Sequence, residues 1–175
     1  MDPEPTEAMV EFYERRTAEH IARVRRCLLA LAVADAQHAD ALRERAALHD
    51  ASKFGPEERA PYIWLTEYYR CRNAGAPFAY PPGVRQQVSA AIRHHLATNR
   101  HHPEFHADPN DMTDVDLIEM VCDWTAMAQE FDEGGGSARA WADATIGAKL
   151  HLSDERRRFV YATIDALDAA RSGGG

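Results

Sequence analysis

The residues of this chain best suited to chemistry are histidines and aspartates set at helical spacing among apolar neighbours. Asp123 lies in MVCDWTAM, one turn after Met120 and one turn before Met127, and Phe131 extends the same stripe. A carboxylate on an apolar face is costly unless it is paired or bound to a metal. His20 sits on an earlier apolar stripe, one turn before Val24. His49 follows Leu42 and Ala46 at the same spacing and is joined directly to Asp50. Two His-His pairs, His94-His95 and His101-His102, lie seven residues apart in AAIRHHLATNRHHPEFH.

Each of these features alone has a plain structural explanation. Asp123 could form a buried salt bridge, His20 could be a satisfied core histidine, and the paired histidines could be a solvated tract. Together they point elsewhere. Imidazole nitrogen and carboxylate oxygen are the donors expected for zinc, iron, manganese or nickel. Helical bundles build such sites from side chains on facing helices, and a metal offsets the cost of burying the carboxylates. The expectation is one or two divalent transition metals, with His20, His49, Asp50 and Asp123 as primary ligands.

The elements that must position these residues read as helical nearly throughout, with no period-two strand pattern. Met9, Phe12, Tyr13, Ile21, Val24, Cys27, Leu28 and Leu31 recur at three and four and make a long first helix. A second helix is expected over about 37–50, with Ala41, Leu42 and Leu48 inward, and Gly55-Pro56 breaks it. A third, rich in Tyr62, Trp64, Tyr68 and Tyr69, starts near 57 or 61 and ends at Asn73. These aromatics serve core packing or wall a pocket. A fourth helix over about 83–101 puts Val84, Val88, Ile92, His95, Asn99 and His102 on one face, and Pro103 limits it. Residues 103–112 read as a polar loop. Thr113 or Asp114 caps a fifth helix to about 131. Gly134–Gly136 form a flexible break, and one or two helices follow, with Ser153 a cap for the last.

The 175-residue length suits one domain over 1–175, with its core at about 9–170 and a disordered tail at 171–175. The fold class is all-α, a single-domain bundle of about six to seven helices. Cys27, Cys71 and Cys122 are odd in number and far apart, so they read as small core residues rather than a disulfide framework or thiolate site. The acidic start lacks a hydrophobic run, and no stretch approaches a membrane span, so a cytoplasmic protein is expected. A net charge of −8 disfavours nucleic acid as a partner, and basic runs such as Arg23, Arg25 and Arg26 read as solvated helix faces. Oligomeric state is not legible.

The order His…His-Asp…Asp resembles the metal signature of the HD-domain superfamily, over roughly residues 17–131. His20-Ile21-Ala22-Arg23-Val24 resembles its first motif, His49-Asp50-Ala51-Ser52-Lys53 its HD-x-x-K form, and Val121-Cys122-Asp123-Trp124 its closing motif. The whole chain also resembles a bacterial family of HD-like proteins with HDxSKF and NRHHPE motifs. The resemblance implies that His20, His49, Asp50 and Asp123 ligate one metal, with Asp50 free to bridge to a second. Dinuclear members add two histidines, for which His95 and His102 are the candidates. Their spacing of seven departs from the family's, which leaves His94 and His101 as alternatives. The region could equally orient ligands through the far ring nitrogen, with Asn99 and Glu104. Nothing after 134 has a counterpart.

Two chemistries fit this resemblance. In a phosphohydrolase, metal-activated water attacks a phosphate ester. Lys53 then neutralises substrate charge, and Arg93 or Arg100 can assist. In a mixed-valence diiron oxygenase, the same lysine holds substrate oxygens while dioxygen cleaves a C–C, C–P or C–N bond. A metal-bound sensor without turnover is the third reading. Lys53 and Asp50 are the candidate catalytic residues, Lys53 and Asn99 the candidate substrate contacts. The expected partner is a small anionic or polyoxygenated molecule.

Overall fold

In the computed structural model, which describes residues 3–131 and 136–172, seven α-helices carry the chain: α1 Glu7–Ala34, α2 Ala39–Leu48, α3 Arg59–Asn73, α4 Val84–Thr98, α5 Asp114–Phe131, α6 Arg139–Thr145 and α7 Asp154–Ser172. Among the described residues there is no strand, only one isolated bridge between Ile146 and Leu150. No described helix is long and apolar enough to cross a membrane. The helices group into two compact units, Met1–Glu19 with Asp50–Asn99, and His20–His49 with Arg100–Gly175.

In the first unit, α3 packs on α4, and a 3-10 turn at Ala51–Phe54 touches both. Met9, Tyr13 and Ile63 form its buried core, with Tyr62 and Trp64 packed against them, so part of the aromatic face of α3 is core. Tyr69 is exposed. The Tyr13 hydroxyl donates to the Lys53 carbonyl at 2.7 Å, which ties the start of α1 to the turn. Asp50, which begins that turn, has φ +55°. A left-handed backbone is uncommon outside glycine, although aspartate tolerates it, and strain of this kind concentrates at functional positions.

α4 stops at Thr98, three residues short of the sequence expectation. His102 precedes Pro103 and is held extended at φ −89°, ψ 130°, and Asn99 is already extended at φ −106°, ψ 112°. His102 therefore leaves the face it was expected to share with His95. His101 is buried, and His102 half-buried.

In the second unit, α5 packs against α2 and α7 around Val24, Leu28, Leu42, Leu117, Val121 and Ile164. α2 is shorter than expected, and Leu48 points outward at 58% exposure; the inward positions of this helix are Leu42 and Ala46. Cys27 and Cys122 are buried core thiols. The start of α5 is capped reciprocally: the Asp116 amide donates to the Thr113 hydroxyl at 3.2 Å, and the Thr113 amide to the Asp116 carboxylate at 3.0 Å. Ser153 caps α7 by accepting from the Arg156 amide at 3.3 Å. The expected break at 134–136 lies largely outside the described residues. Of the expected tail, Arg171 and Ser172 belong to α7, while 173–175 lie outside them.

Asp116 is fully buried and accepts from Arg45 at 2.7 Å and Arg100 at 3.0 Å. Arg100, expected on a solvated face or at a substrate, is thus engaged in the fold. Burial alone would raise the Asp116 carboxyl, but the Arg100 guanidinium, the Thr113 cap and Arg45 outweigh it and hold the group below the usual carboxylate range. Asp116→Asn removes the charge that half-buried Arg45 and exposed Arg100 share, and it should cost about 1.5–3 kcal/mol at pH 7. A folded pKa below the unfolded value stabilises above roughly pH 4, and that stability is lost as pH falls through the folded pKa. Urea melts should therefore show the gap between variant and wild type closing below about pH 4; a gap independent of pH would mean that packing, not charge, is lost.

Candidate metal centre

Each unit contains a buried cluster of histidine and carboxylate, and both are built alike. In the second unit, His20 on α1, His49 just past α2 and Asp123 on α5 converge. His20 Nε2 lies 3.0 Å and His49 Nε2 3.7 Å from Asp123 Oδ1. One donor atom from each of the three falls within 4.8 Å of the others. With metal bonds of about 2.0–2.2 Å, donors around one ion sit roughly 3.0–3.5 Å apart. The set has that scale and the donor chemistry of a transition-metal site.

The orientation of His49 comes from Glu119, one turn before Asp123 on α5. Glu119 Oε1 lies 2.8 Å from His49 Nδ1 and 3.5 Å from His101 Nδ1. Burial would raise the Glu119 carboxyl, but His101 and His49 hold it down at about 2. An ionised carboxylate only accepts, so His49 carries its proton on Nδ1 and directs the Nε2 electron pair toward Asp123. Two electron-pair donors then face each other, an arrangement that a cation between them, or a second proton on His49, resolves. Burial likewise opposes ionisation of Asp123, yet His20, and His49 when it carries that second proton, hold it well below the usual range. Arg45 steadies Glu119 from the other side at 2.7 Å.

His49, His101 and Glu119 also approach one another within 4.8 Å. Because Glu119 accepts a hydrogen bond from the Nδ1–H of His49, it fits the role of an orienting acceptor, the arrangement that fixes metal-binding imidazoles. Glu119→Gln keeps the shape and removes the charge. It should weaken metal binding roughly 10–100-fold while leaving the helices intact. Competition against a chelating dye reads this directly, and an unchanged affinity would assign Glu119 to the fold alone.

In the first unit, His95 Nε2 lies 3.3 Å from Asp50 Oδ1, and His95 Nδ1 lies 2.9 Å from Glu58 Oε2. Glu58 is fully buried, and its other oxygen meets His94 Nδ1 at 2.7 Å. Burial keeps His95 below the usual imidazole range; Lys53 adds to this and Asp50 and Glu58 oppose it. A neutral imidazole is the form that binds metal. Lys53 Nζ pairs with Asp50 Oδ2 at 2.6 Å and lies over the Tyr62 ring. Asn99 donates to Ser52 Oγ at 2.9 Å and to the His95 carbonyl at 2.9 Å, so it holds the end of α4 to the turn.

The structure thus brings His20, His49 and Asp123 together, and Asp50, His95 and Lys53 together. His102 stands beside His101, with ring centroids 4.2 Å apart, and both line a cleft that also reaches Asp123. Glu119 and Glu58 were not foreseen. The available signal was a second acidic residue one turn before Asp123 in the most apolar helix of the chain.

An all-α protein with buried histidine and carboxylate clusters able to hold metal ions is what fold and site define. The chain belongs to a family of unknown function, DUF5662, whose model matches residues 9–166. Comparison with curated proteins and with solved structures returns no match.

Proposed function

We propose that this protein is a metal-dependent hydrolase of the HD-domain type, acting on a small phosphorylated substrate. The observation that carries the reading is the convergence of His20 and His49 on Asp123, with His49 fixed by Glu119. His20, His49 and Asp123 would hold the metal, and in the HD resemblance Asp50 is itself a ligand. The chemistry a divalent transition metal supplies when bound is a water acidic enough to act as nucleophile at neutral pH. Glu119 keeps His49 in one tautomer and one orientation. Lys53 supplies a compact positive charge for substrate oxygens, held in place by Asp50 and Tyr62. The abundance of imidazole, with His101 and His102 near Asp123, supports a diiron oxygenase as the second reading.

Elemental analysis of the purified protein comes first, followed by turnover assays. Manganese, nickel or zinc with hydrolysis of phosphate esters supports the first reading. Two irons with a mixed-valence magnetic signal and dioxygen-dependent turnover support the second. Protein that neither retains nor takes up metal overturns both. Stability gives a separate check. A ligand bound only to the folded state at a few hundred times its Kd stabilises by about 3–4 kcal/mol. A chelator should therefore lower the melting temperature by several degrees; an unchanged melt after proven metal removal would show that the clusters are held by their own ion pairs.

A further inference from the structure

A cleft of about 480 Å³ opens in the second unit beside His101, His102 and Asp123. Its opposite elements lie beyond the reach of the HD resemblance: Trp141 and Thr145 come from α6, and Lys149 and Leu150 from the turn that follows. Trp124, the residue after Asp123, adds a second indole to the lining. Trp141 is left 43% exposed. Large aromatic surface in a concave site that also holds a few polar groups is the usual make-up of a small-molecule pocket.

The turn that carries Lys149 is firmly built. The Thr145 carbonyl accepts the amides of Ala148, Lys149 and Leu150 at 3.2, 2.9 and 3.0 Å, and the Gly147 amide donates to the Leu150 carbonyl at 2.9 Å. Gly147 has φ +88°, which a side chain would strain, and Leu150 is anchored in the core. The backbone of Lys149 is fixed while its side chain stays exposed at the cleft. Lysine occurs at only two positions in the chain, 53 and 149, among 20 basic residues. One lies in the Asp50 cluster and the other on this cleft.

We infer that the cleft seats the non-reacting part of the substrate, a planar ring system bearing a small anionic group, with the ring against Trp141 and Trp124 and the anion at Lys149. Indole faces favour flat π-systems over saturated rings, and an ammonium favours a carboxylate-sized anion. The inference deepens the hydrolase reading and rests on it for the word substrate; the binding itself does not require metal.

The test uses the full chain, stripped of metal by a chelator, with 2-naphthoate as probe, its neutral amide and cyclohexanecarboxylate as controls, and calorimetry as readout. Wild type should bind 2-naphthoate more tightly than either control. Lys149→Gln should weaken the acid about tenfold and leave the amide unchanged, as loss of one charge-assisted contact predicts. Trp141→Ala should weaken both. Both side chains are exposed, and unchanged melts confirm that the variants fold. No saturable binding of 2-naphthoate, no preference over cyclohexanecarboxylate, or equal effects on acid and amide in Lys149→Gln overturn the inference. Since metal is absent throughout, failure of the metal reading would show only in elemental analysis, and the two failures stay distinct.

Discussion

Asp123→Ala should purify with less than about a tenth of the wild-type metal, and turnover should fall on the order of 10³-fold. The carboxylate meets both His20 Nε2 and His49 Nε2. Without it, the two imidazoles lose the anion that makes a divalent ion favourable in a buried setting. The histidines outweigh the desolvation of Asp123 and hold its carboxyl well below the usual range, so the ionised group stabilises the metal-free fold as well, and metal-free Asp123→Ala should melt below metal-free wild type. Wild type with metal should melt higher than both. Elemental analysis and paired melts, with and without chelator, read all of this. Metal content equal to wild type would move the ligand role off Asp123 and remove the basis of the proposed function.

The period of the apolar residues explains why three members of this cluster could be read from the sequence. His20 on its stripe before Val24, His49 after Leu42 and Ala46, and Asp123 between Met120 and Met127 each interrupt a core pattern whose direction is set by the 3.6-residue repeat. All three are found facing one another. What periodicity cannot supply is where a helix ends and what a polar residue meets. The face drawn through His95, Asn99 and His102 failed because α4 ends at Thr98. The extended residues before Pro103 turn His101 inward instead. The roles of Glu119 and Glu58 were missed because they lie in partners 70 and 37 residues away, at His49 and His95. Arg100 read as a helper at the substrate for the same reason, since its partner Asp116 lies 16 residues on, in α5. The cleft wall of Trp141 and Lys149 was out of reach because a short helix and an irregular turn carry no repeat to reason from.

Lys53→Ala should keep metal and fold, and lose roughly 10²-fold in kcat/KM. The lysine stands on the turn begun by Asp50, with its ammonium 2.6 Å from Asp50 Oδ2 and over the ring of Tyr62, and its side chain is 18% exposed. Those contacts fix where the charge sits. They leave it partly open to solvent, as a group that meets an anionic substrate must be. A protonated amine has no electron pair for a metal, so its loss should act on substrate. If Lys53 served only as the counterion of buried Asp50, its removal would take that counterion away and cost about 3–5 kcal/mol of stability. If metal also compensates Asp50, the loss should be far smaller in metal-loaded protein than in stripped protein. Melts of Lys53→Ala in the two states separate the roles, and kinetics complete the comparison. Lys53→Arg restores charge but replaces a point cation with a planar fork, so it should recover stability and only part of the activity. Full activity in Lys53→Ala would end the case for a substrate anchor. Full activity in Lys53→Arg alone would show that charge, and not its compactness, is what the substrate requires.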